Sequence, residues 1–251
     1  MQKLPRRASS LKGEADWDER ILRRQSLKSV LPHLDAVIFD IDGTLLDSND
    51  ANAYAWRTTF REFGKDVPQA EIRAAIGKGG DNLLPDFFSE EELKTLKEPL
   101  SKRRGELYDG ELLPKMKPFS LVREFCERLK ADGRRIAIAT SATEEELKVS
   151  LDLIGISDLV EAKATIDDAE GSKPDPDIFL AALERLGNPD PARVLVVGDT
   201  PYDVEAAERA GMQTVAVLTG GFSRESLAGA LATFGSVAEL FTRYEETPFA
   251  R

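Results

Sequence analysis

The chain has 251 residues, a formal net charge of −11 and a single cysteine, Cys126, which excludes an internal disulfide. An acidic chain of ordinary hydrophobic content repels nucleic acid and anionic membranes, and no apolar run is long enough to cross a bilayer. The basic N-terminus lacks the apolar stretch of a secretory signal, so we expect a cytoplasmic monomer or homodimer that binds a small ligand.

Residues 1–33 precede the first strand-like segment and are rich in lysine and arginine. Trp17 with Ile21 and Leu27 with Leu31 have helical spacing, so we predict an N-terminal extension that is partly ordered or packed as a helix on the core. His33, the only histidine, ends this segment. We expect it to be structural, which argues against acid–base catalysis by histidine.

Short continuous apolar runs predict strands that are buried on both faces of a parallel sheet. The strong runs are Ala36–Phe39, Ile136–Ala139, Val194–Val197 and Thr214–Leu218, with Val160–Ala164 as a weaker one. Helical patterns lie between them and end at glycines 133, 155 and 187. Because strands alternate with helices, the sequence predicts an α/β fold with a Rossmann-like parallel sheet.

The segment 48–117 breaks this alternation, because it contains no convincing buried strand. Trp56 and Phe60 share one helical face, and Ser89 with Glu92 forms a capping-box pattern ahead of a further helix. We therefore predict that this segment is an inserted helical cap domain. The predicted core domain around it consists of residues 34–47 and 118–251.

Two aspartates, Asp40 and Asp42, directly follow the first predicted strand in the sequence Asp-Ile-Asp-Gly-Thr. Ligands bind at the carboxyl ends of strands in open parallel sheets, so both carboxylates can face one site. Gly43 allows a sharp turn there. This motif alone leaves a structural or metal-only role open. A calcium loop is a weaker alternative, because Leu45 and Leu46 occupy positions where oxygen ligands should continue.

Polar side chains also mark three later positions, two at predicted strand ends and one just before a predicted helix. Taken singly, each has an ordinary explanation, such as a strand-end cap, a solvated lysine or a pair of helix-capping aspartates. Their joint occurrence in this order points instead to one site at the edge of the sheet. These residues are Thr140 and Ser141, Lys173, and Asp199 and Asp203.

This set of motifs resembles the four sequence signatures of the haloacid dehalogenase (HAD) superfamily over about residues 35–240. The insert falls where that family carries its helical type-one cap. The resemblance implies that Asp40 is a nucleophile and Asp42 a general acid/base. It further implies phosphate or substrate binding by Gly43, Thr44, Thr140, Ser141 and Lys173. A Mg²⁺ ion would be held by Asp40, Asp199, Asp203 and the backbone carbonyl of Asp42.

The resemblance favours a magnesium-dependent phosphatase that acts on a small organic phosphomonoester, similar to phosphoglycolate or a sugar phosphate, through an aspartyl-phosphate. Attack of a carboxylate on a phosphate brings two anions together, which costs roughly 4 kcal/mol at 4 Å and an effective dielectric of 20. Mg²⁺ and Lys173 would offset that repulsion. Asp42 argues against dehalogenation, since a carbon–halogen bond needs no protonated leaving group. A sugar-phosphate mutase and a non-catalytic binding protein are the alternatives.

Residues 76–81 of the insert, Ile-Gly-Lys-Gly-Gly-Asp, resemble the substrate-specificity loop of helical caps. Glycines let the backbone approach a ligand closely, and Lys78 with Asp81 could bind a small polar substrate. The alternative is a flexible turn between helices whose charges are solvated. We predict that Lys78 binds substrate.

Overall fold

A parallel sheet forms the centre of the structure, a computed structural model that describes residues 33–250. Within those residues the sheet has six strands in the order β3-β2-β1-β4-β5-β6. All neighbouring strands run parallel. The strands are β1 Ala36–Phe39, β2 Arg135–Ala139, β3 Ala162–Ala164, β4 Val194–Gly198, β5 Gln213–Val217 and β6 Ala232–Phe234.

The predicted α/β fold with a parallel sheet is confirmed, and β1, β2 and β4 match their predicted bounds to within one residue. β5 lies one residue earlier than predicted, because Leu218 already begins a 3₁₀ turn. β3 is shorter than predicted and exposes its middle residue, Lys163, as an edge strand can. β6 was missed, since a strand of three residues, of which only Phe234 is buried, is too short to show a pattern.

The helices divide into those that flank the sheet and those of the insert. In chain order they are α1 Asn49–Glu62, α2 Gln69–Ala75, α3 Gly80–Leu83, α4 Glu90–Leu107, α5 Val122–Ala131, α6 Glu144–Ile154, α7 Asp177–Arg185, α8 Pro201–Arg209 and α9 Val237–Thr242. None of the helices between residues 33 and 250 is long and apolar enough to span a bilayer.

Alternate side chains of β1 point to opposite faces of the sheet, and each face has its own apolar core. Val37 and Phe39 pack with α5, α6 and α9, whereas Ala36 and Ile38 pack with α7 and α8. Burial on both faces explains why β1 is a continuous apolar run rather than an alternating one. The carboxyl end of this central strand is therefore fixed rigidly in the fold.

The insert contains α1–α4 and none of the sheet strands described above. Its helices enclose a separate apolar cluster that includes Trp56, Phe60, Ile72 and Leu100. The capping box predicted at the start of α4 is present, since the backbone N–H of Ser89 donates to Glu92 Oε2 at 2.7 Å. The helical content of this segment agrees with the sequence prediction.

The two ends of the insert lie side by side on the core. Leu46 forms an antiparallel bridge with Pro118, and the Asp47 N–H donates to the Lys117 carbonyl at 3.0 Å. Tyr108 also belongs to the apolar cluster beneath the sheet, so the insert is packed on the core beyond its hinge. The exact domain boundaries stay predictions.

The predicted extension lies outside the described residues, except for His33. His33 is exposed, and its carbonyl accepts a hydrogen bond of 3.0 Å from Arg193 Nε. It lies at the start of the core, before β1, and is absent from the residues that line the cavity described below. This placement is consistent with the structural role that was predicted for it.

Candidate active site

Three buried carboxylates meet at the carboxyl edge of the sheet. Asp40 directly follows β1, Asp199 directly follows β4, and Asp203 lies in the first turn of α8. One oxygen atom from each lies within 4.8 Å of the others. The structure therefore brings together the acidic residues that the sequence singled out, as expected for neighbouring parallel strands that end at one edge.

Hydrogen bonds hold each member of the acidic pair in place. Asp199 accepts from Thr44 Oγ1 at 2.8 Å and from Asn49 Nδ2 at 3.0 Å. Asp203 Oδ2 accepts from the backbone N–H of Thr200 at 3.0 Å and from its hydroxyl at 2.6 Å, closing a capping box at the start of α8. Both carboxylates thus keep fixed positions with one oxygen directed toward the cluster.

Lys173 is the cation of this cluster and is almost fully buried. Its Nζ lies 2.5 Å from Asp40 Oδ1 and 2.8 Å from Asp203 Oδ1, and it donates to the Ala139 carbonyl at 3.2 Å. Burial by itself opposes a charged lysine, but the carboxylates of Asp203 and Asp40 outweigh it and raise the pKa of Lys173. The ammonium therefore stays charged and orients the Asp40 carboxylate.

One ammonium does not balance three buried carboxylates. Desolvation by burial raises the pKa of Asp40 to about 7, and the negative charges of Asp203 and Asp42 add to that effect while Lys173 opposes it. Burial, with Asp40 and Asp203 adding to it, raises the pKa of Asp199 well above its ordinary value. Carboxylate oxygens are hard ligands that suit a divalent cation such as Mg²⁺. Because the cluster is also short of positive charge, Asp40, Asp199 and Asp203 fit a metal ion.

The side chain of Asp42 is not part of that cluster and is held by two hydroxyl groups. Its Oδ1 accepts hydrogen bonds from Ser48 Oγ and, at 3.1 Å, from Tyr108 Oη, which belongs to the insert. Desolvation raises the pKa of Asp42, although the hydrogen bonds from Ser48 and Tyr108 oppose the shift. A carboxyl group with a raised pKa beside the cavity is suited to proton transfer. Metal binding through its backbone carbonyl stays a prediction.

Thr140 and Ser141 follow β2 and line the cavity next to Asp40. Thr140 Oγ1 accepts from the Ala142 N–H at 3.2 Å, which leaves its own hydroxyl proton available. Ser141 Oγ is buried and has no hydrogen-bond partner within the described part of the protein. Both hydroxyls can therefore donate to an anionic ligand, and phosphate binding by them stays a prediction.

Gly43 and Thr44 contact the turn that follows β1 and the side chain of Asp199. Gly43 has φ of +80°, and a Cβ there would lie 2.3 Å from Asp199 Oδ2. Its N–H donates to the Leu46 carbonyl at 2.8 Å, and the Thr44 hydroxyl donates to Asp199. The observed contacts of these two residues thus shape the turn and hold Asp199. Phosphate binding by Gly43 and Thr44 stays a prediction.

Lys78 lines the cavity, and its ammonium contacts one residue of the insert and one of the core. Nζ lies 2.5 Å from Asp86 Oδ2 and 5.2 Å from the centre of the Tyr202 ring. The ion pair with Asp86 uses one of the three N–H donors of the ammonium. Substrate binding by Lys78 stays a prediction.

A cavity of about 620 Å³ lies between the insert and the core, with Asp40 and Asp42 in its lining. Its wall includes Trp56 and Arg104 of the insert. The sequence pattern indicated Trp56 only as part of an apolar helix face and did not indicate Arg104. Arg104 forms a buried ion pair with Glu146 at the start of α6 and donates to Asn52 Oδ1 at 2.9 Å. No local sequence signal identified Arg104 or Tyr108.

A family model described as haloacid dehalogenase-like hydrolase matches residues 37–217 of the chain. The chain belongs to this family. It is 31% identical over 182 residues to a phosphorylated carbohydrates phosphatase of Thermotoga maritima, covering 72% of this chain and 84% of that protein. It is 32% identical over 189 residues to a phosphoglycolate phosphatase of Aquifex aeolicus, covering 73% and 84%.

Solved structures agree with this assignment to the HAD-like hydrolases. A hydrolase from Pseudomonas syringae superposes with a TM-score of 0.77 at 29% identity, covering 86% of this chain and all of that one (100%). A putative β-phosphoglucomutase from Bacteroides vulgatus superposes with a TM-score of 0.78 at 23% identity, covering 90% and 97%. The second similarity concerns the fold alone. The chain is thus a HAD-type phosphatase by family, with a site that fits phosphate chemistry.

Proposed function

We propose that this HAD-like hydrolase is a magnesium-dependent phosphatase that hydrolyses a small organic phosphomonoester through an aspartyl-phosphate on Asp40. The observation that carries the proposal is the placement of Asp40, held by Lys173 at the end of β1 beside a cavity that Asp42 also lines. A carboxylate fixed next to a second carboxyl group of raised pKa supplies a nucleophile and an acid for one reaction.

In the first step, an Asp40 oxygen attacks phosphorus and the bond between phosphorus and the leaving oxygen breaks. Asp42 donates its proton to that oxygen, so the alcohol leaves neutral. Thr140 and Ser141 donate hydrogen bonds to the phosphoryl oxygens, and Lys173 keeps Asp40 oriented. In the second step, Asp42 takes a proton from water, which attacks phosphorus and releases phosphate and the Asp40 carboxylate.

Asp40, Asp199 and Asp203 are the side chains that would hold Mg²⁺, since their oxygen atoms cluster within 4.8 Å. When bound, Mg²⁺ neutralises part of the negative charge that the carboxylates and the phosphoryl group bring together. Thr44 and Asn49 serve this site indirectly, because their hydrogen bonds fix Asp199.

Removal of divalent metal is expected to abolish hydrolysis and to lower the thermal stability of the protein. The reason is that the buried carboxylates then repel each other. Lys173, which pairs with Asp40 and Asp203, offsets only part of that repulsion. Melting temperature and phosphate release should both recover when Mg²⁺ is added after a chelator. An Asp199→Asn variant should show a smaller rise in melting temperature with Mg²⁺. Full hydrolysis in metal-free buffer would contradict the assignment.

The cavity wall favours a neutral leaving group over an anionic one. Arg104 is already paired with Glu146, and Trp56 offers an aromatic face to apolar parts of a sugar or polyol. Carboxylates outnumber cationic side chains in the lining, which contains Asp40, Asp42, Asp81, Glu106, Asp109, Glu146 and Glu170 but only Lys78, Lys102 and Arg104. A phosphorylated polyol or sugar therefore suits this wall better than phosphoglycolate.

Phosphate esters with an uncharged leaving group are expected to be hydrolysed with kcat/KM values at least about tenfold above that of phosphoglycolate. The reason is that the carboxylate of phosphoglycolate would be repelled by the acidic side chains of the cavity wall. Phosphoglycolamide is the matched control, since it differs from phosphoglycolate only by an amide in place of the carboxylate. Phosphate release from both compounds and from a panel of sugar phosphates measures the difference. A preference for phosphoglycolate over its amide would contradict this substrate class.

The alternative within the family is a phosphotransferase or mutase that returns the phosphoryl group to a sugar. The observation in its favour is that the insert hydrogen-bonds the core around the cavity, as between Tyr108 and Asp42, and exclusion of water would protect the aspartyl-phosphate. Incubation with hexose 1-phosphates separates the two reactions. Isomerised hexose phosphate would favour the mutase, whereas free phosphate and hexose would favour the phosphatase.

A further inference from the structure

Residues 76–82, here called the 76–82 loop, comprise the connection from α2 to α3 and the first three residues of α3. This segment lies directly against two loops of the core that carry active-site residues. A Cβ added to Gly77 would lie 2.5 Å from Thr200 Cγ2, and one added to Gly79 would lie 1.9 Å from Ser172 Oγ. The glycines of this loop are thus needed for close approach to the core. Their pattern in the sequence reflects docking, in addition to any contact with substrate.

Two consecutive side chains of this loop hold the backbone that carries Lys173. Asn82 Nδ2 donates to the Ser172 carbonyl at 2.7 Å and to the Lys173 carbonyl at 3.3 Å. Asp81 Oδ2 accepts from the Ser172 N–H at 3.1 Å. The backbone of Ser172 is therefore bound by the insert through both its N–H and its carbonyl.

This backbone depends on such contacts because it has no regular secondary structure. Residues 169–176 lie between a 3₁₀ turn that ends at Asp168 and the start of α7 at Asp177. The Lys173 ammonium nevertheless has to meet Asp40, Asp203 and the Ala139 carbonyl at once. A displacement of its backbone would therefore disturb the orientation of the nucleophile.

We propose that Asp81 and Asn82 are positioning residues for Lys173, so that docking of the 76–82 loop completes the phosphoryl-transfer site. This inference rests on the proposed function in one respect, the role of Asp40 as nucleophile. It assigns the loop a part in the step that all substrates share, whereas a specificity loop would act only on the leaving group.

Asn82→Ala removes two hydrogen bonds to the core and is expected to lower kcat about tenfold on every substrate that the enzyme accepts. The loss should be equal for a minimal ester such as methyl phosphate and for larger sugar phosphates. Binding of inorganic phosphate in the presence of Mg²⁺, measured by calorimetry, should weaken by a similar factor. Asn82→Gln, which keeps the donor, should recover part of both losses.

Asp81→Ala and Gly79→Ala test the same contact from two further positions. Asp81→Ala should show a smaller uniform loss, and Gly79→Ala a larger one because its methyl group keeps the loop from docking. Matched controls are Asp66→Ala, whose side chain is 77% exposed on the insert, and Gly110→Ala, which has open space for a Cβ. Both controls should leave kcat and phosphate binding unchanged.

Losses of kcat that grow with the size of the leaving group, together with normal phosphate binding, would overturn the inference. The loop would then contribute to substrate recognition only. Unchanged kinetics in an active Asn82→Ala enzyme would also overturn it while leaving the proposed function intact. A wild-type protein that hydrolyses no ester would contradict the proposed function. Phosphate binding by the variants would then still decide whether the loop positions Lys173.

Discussion

An Asp40→Asn enzyme is expected to lose turnover by about 10⁴-fold or more while keeping its fold, because an amide cannot act as the nucleophile. The substitution conserves shape and removes one negative charge from a cluster that is short of positive charge. Lys173 keeps its second carboxylate partner, Asp203, at 2.8 Å. We therefore expect a melting temperature equal to or above that of the wild type.

The matched control is Asp152→Asn on the exposed side of α6, which should change neither turnover nor stability. Phosphate release under single-turnover conditions measures the loss, and circular dichroism reports the fold. Trapping of radiolabelled phosphate on the wild-type protein, but not on the variant, would support covalent chemistry at Asp40. A folded Asp40→Asn protein with near-normal hydrolysis would exclude Asp40 as the nucleophile.

Replacing Lys173 with methionine is expected to have the largest effect on stability. Methionine has a similar length, but it leaves Asp40 and Asp203 buried without their cation. Breaking a buried ion pair from one side typically lowers the free energy of unfolding by about 3–5 kcal/mol. Urea denaturation in a chelator should show this loss, and Mg²⁺ should restore part of it by binding the same carboxylates.

A second substitution separates charge from packing in this experiment. Asp203→Asn in the Lys173→Met background removes one of the unpaired carboxylates, so the double variant should be more stable than Lys173→Met alone. Lys148→Met, at an exposed position of α6, is the control for loss of a surface lysine. Lys173→Met with wild-type stability in the absence of metal would show that the ion pairs contribute little.

The sheet and its acidic edge could be predicted because their signals are local. β1 is buried on both faces, so it appears as an apolar run that ends at Asp40. Parallel strands end at a common edge, which let Thr140 and Asp199 be placed near Asp40 without knowledge of the loops. The same reasoning fails for β6, which has three residues and no run of apolar side chains.

The contacts between insert and core could not be predicted, since they depend on how two packed units meet. Tyr108 donates to Asp42 across 66 positions of sequence, and Arg104 reaches Glu146 across 42. No spacing or periodicity records such a pair. The glycines at 77 and 79 were visible in the sequence, but they could be interpreted as substrate-facing until the loops against which they pack were known.

The bridge between Leu46 and Pro118 has a consequence for how this protein could be remodelled. Because the chain leaves and rejoins the core at adjacent points, the covalent connections of the entire insert lie at one place on the core. Replacement of the insert at these two points is expected to leave the strands of the sheet in place, because both points lie outside every strand. A new insert would nevertheless have to bring its own hydroxyl group to Asp42, since Tyr108, one of the two hydroxyl donors to Asp42, is exchanged together with the insert.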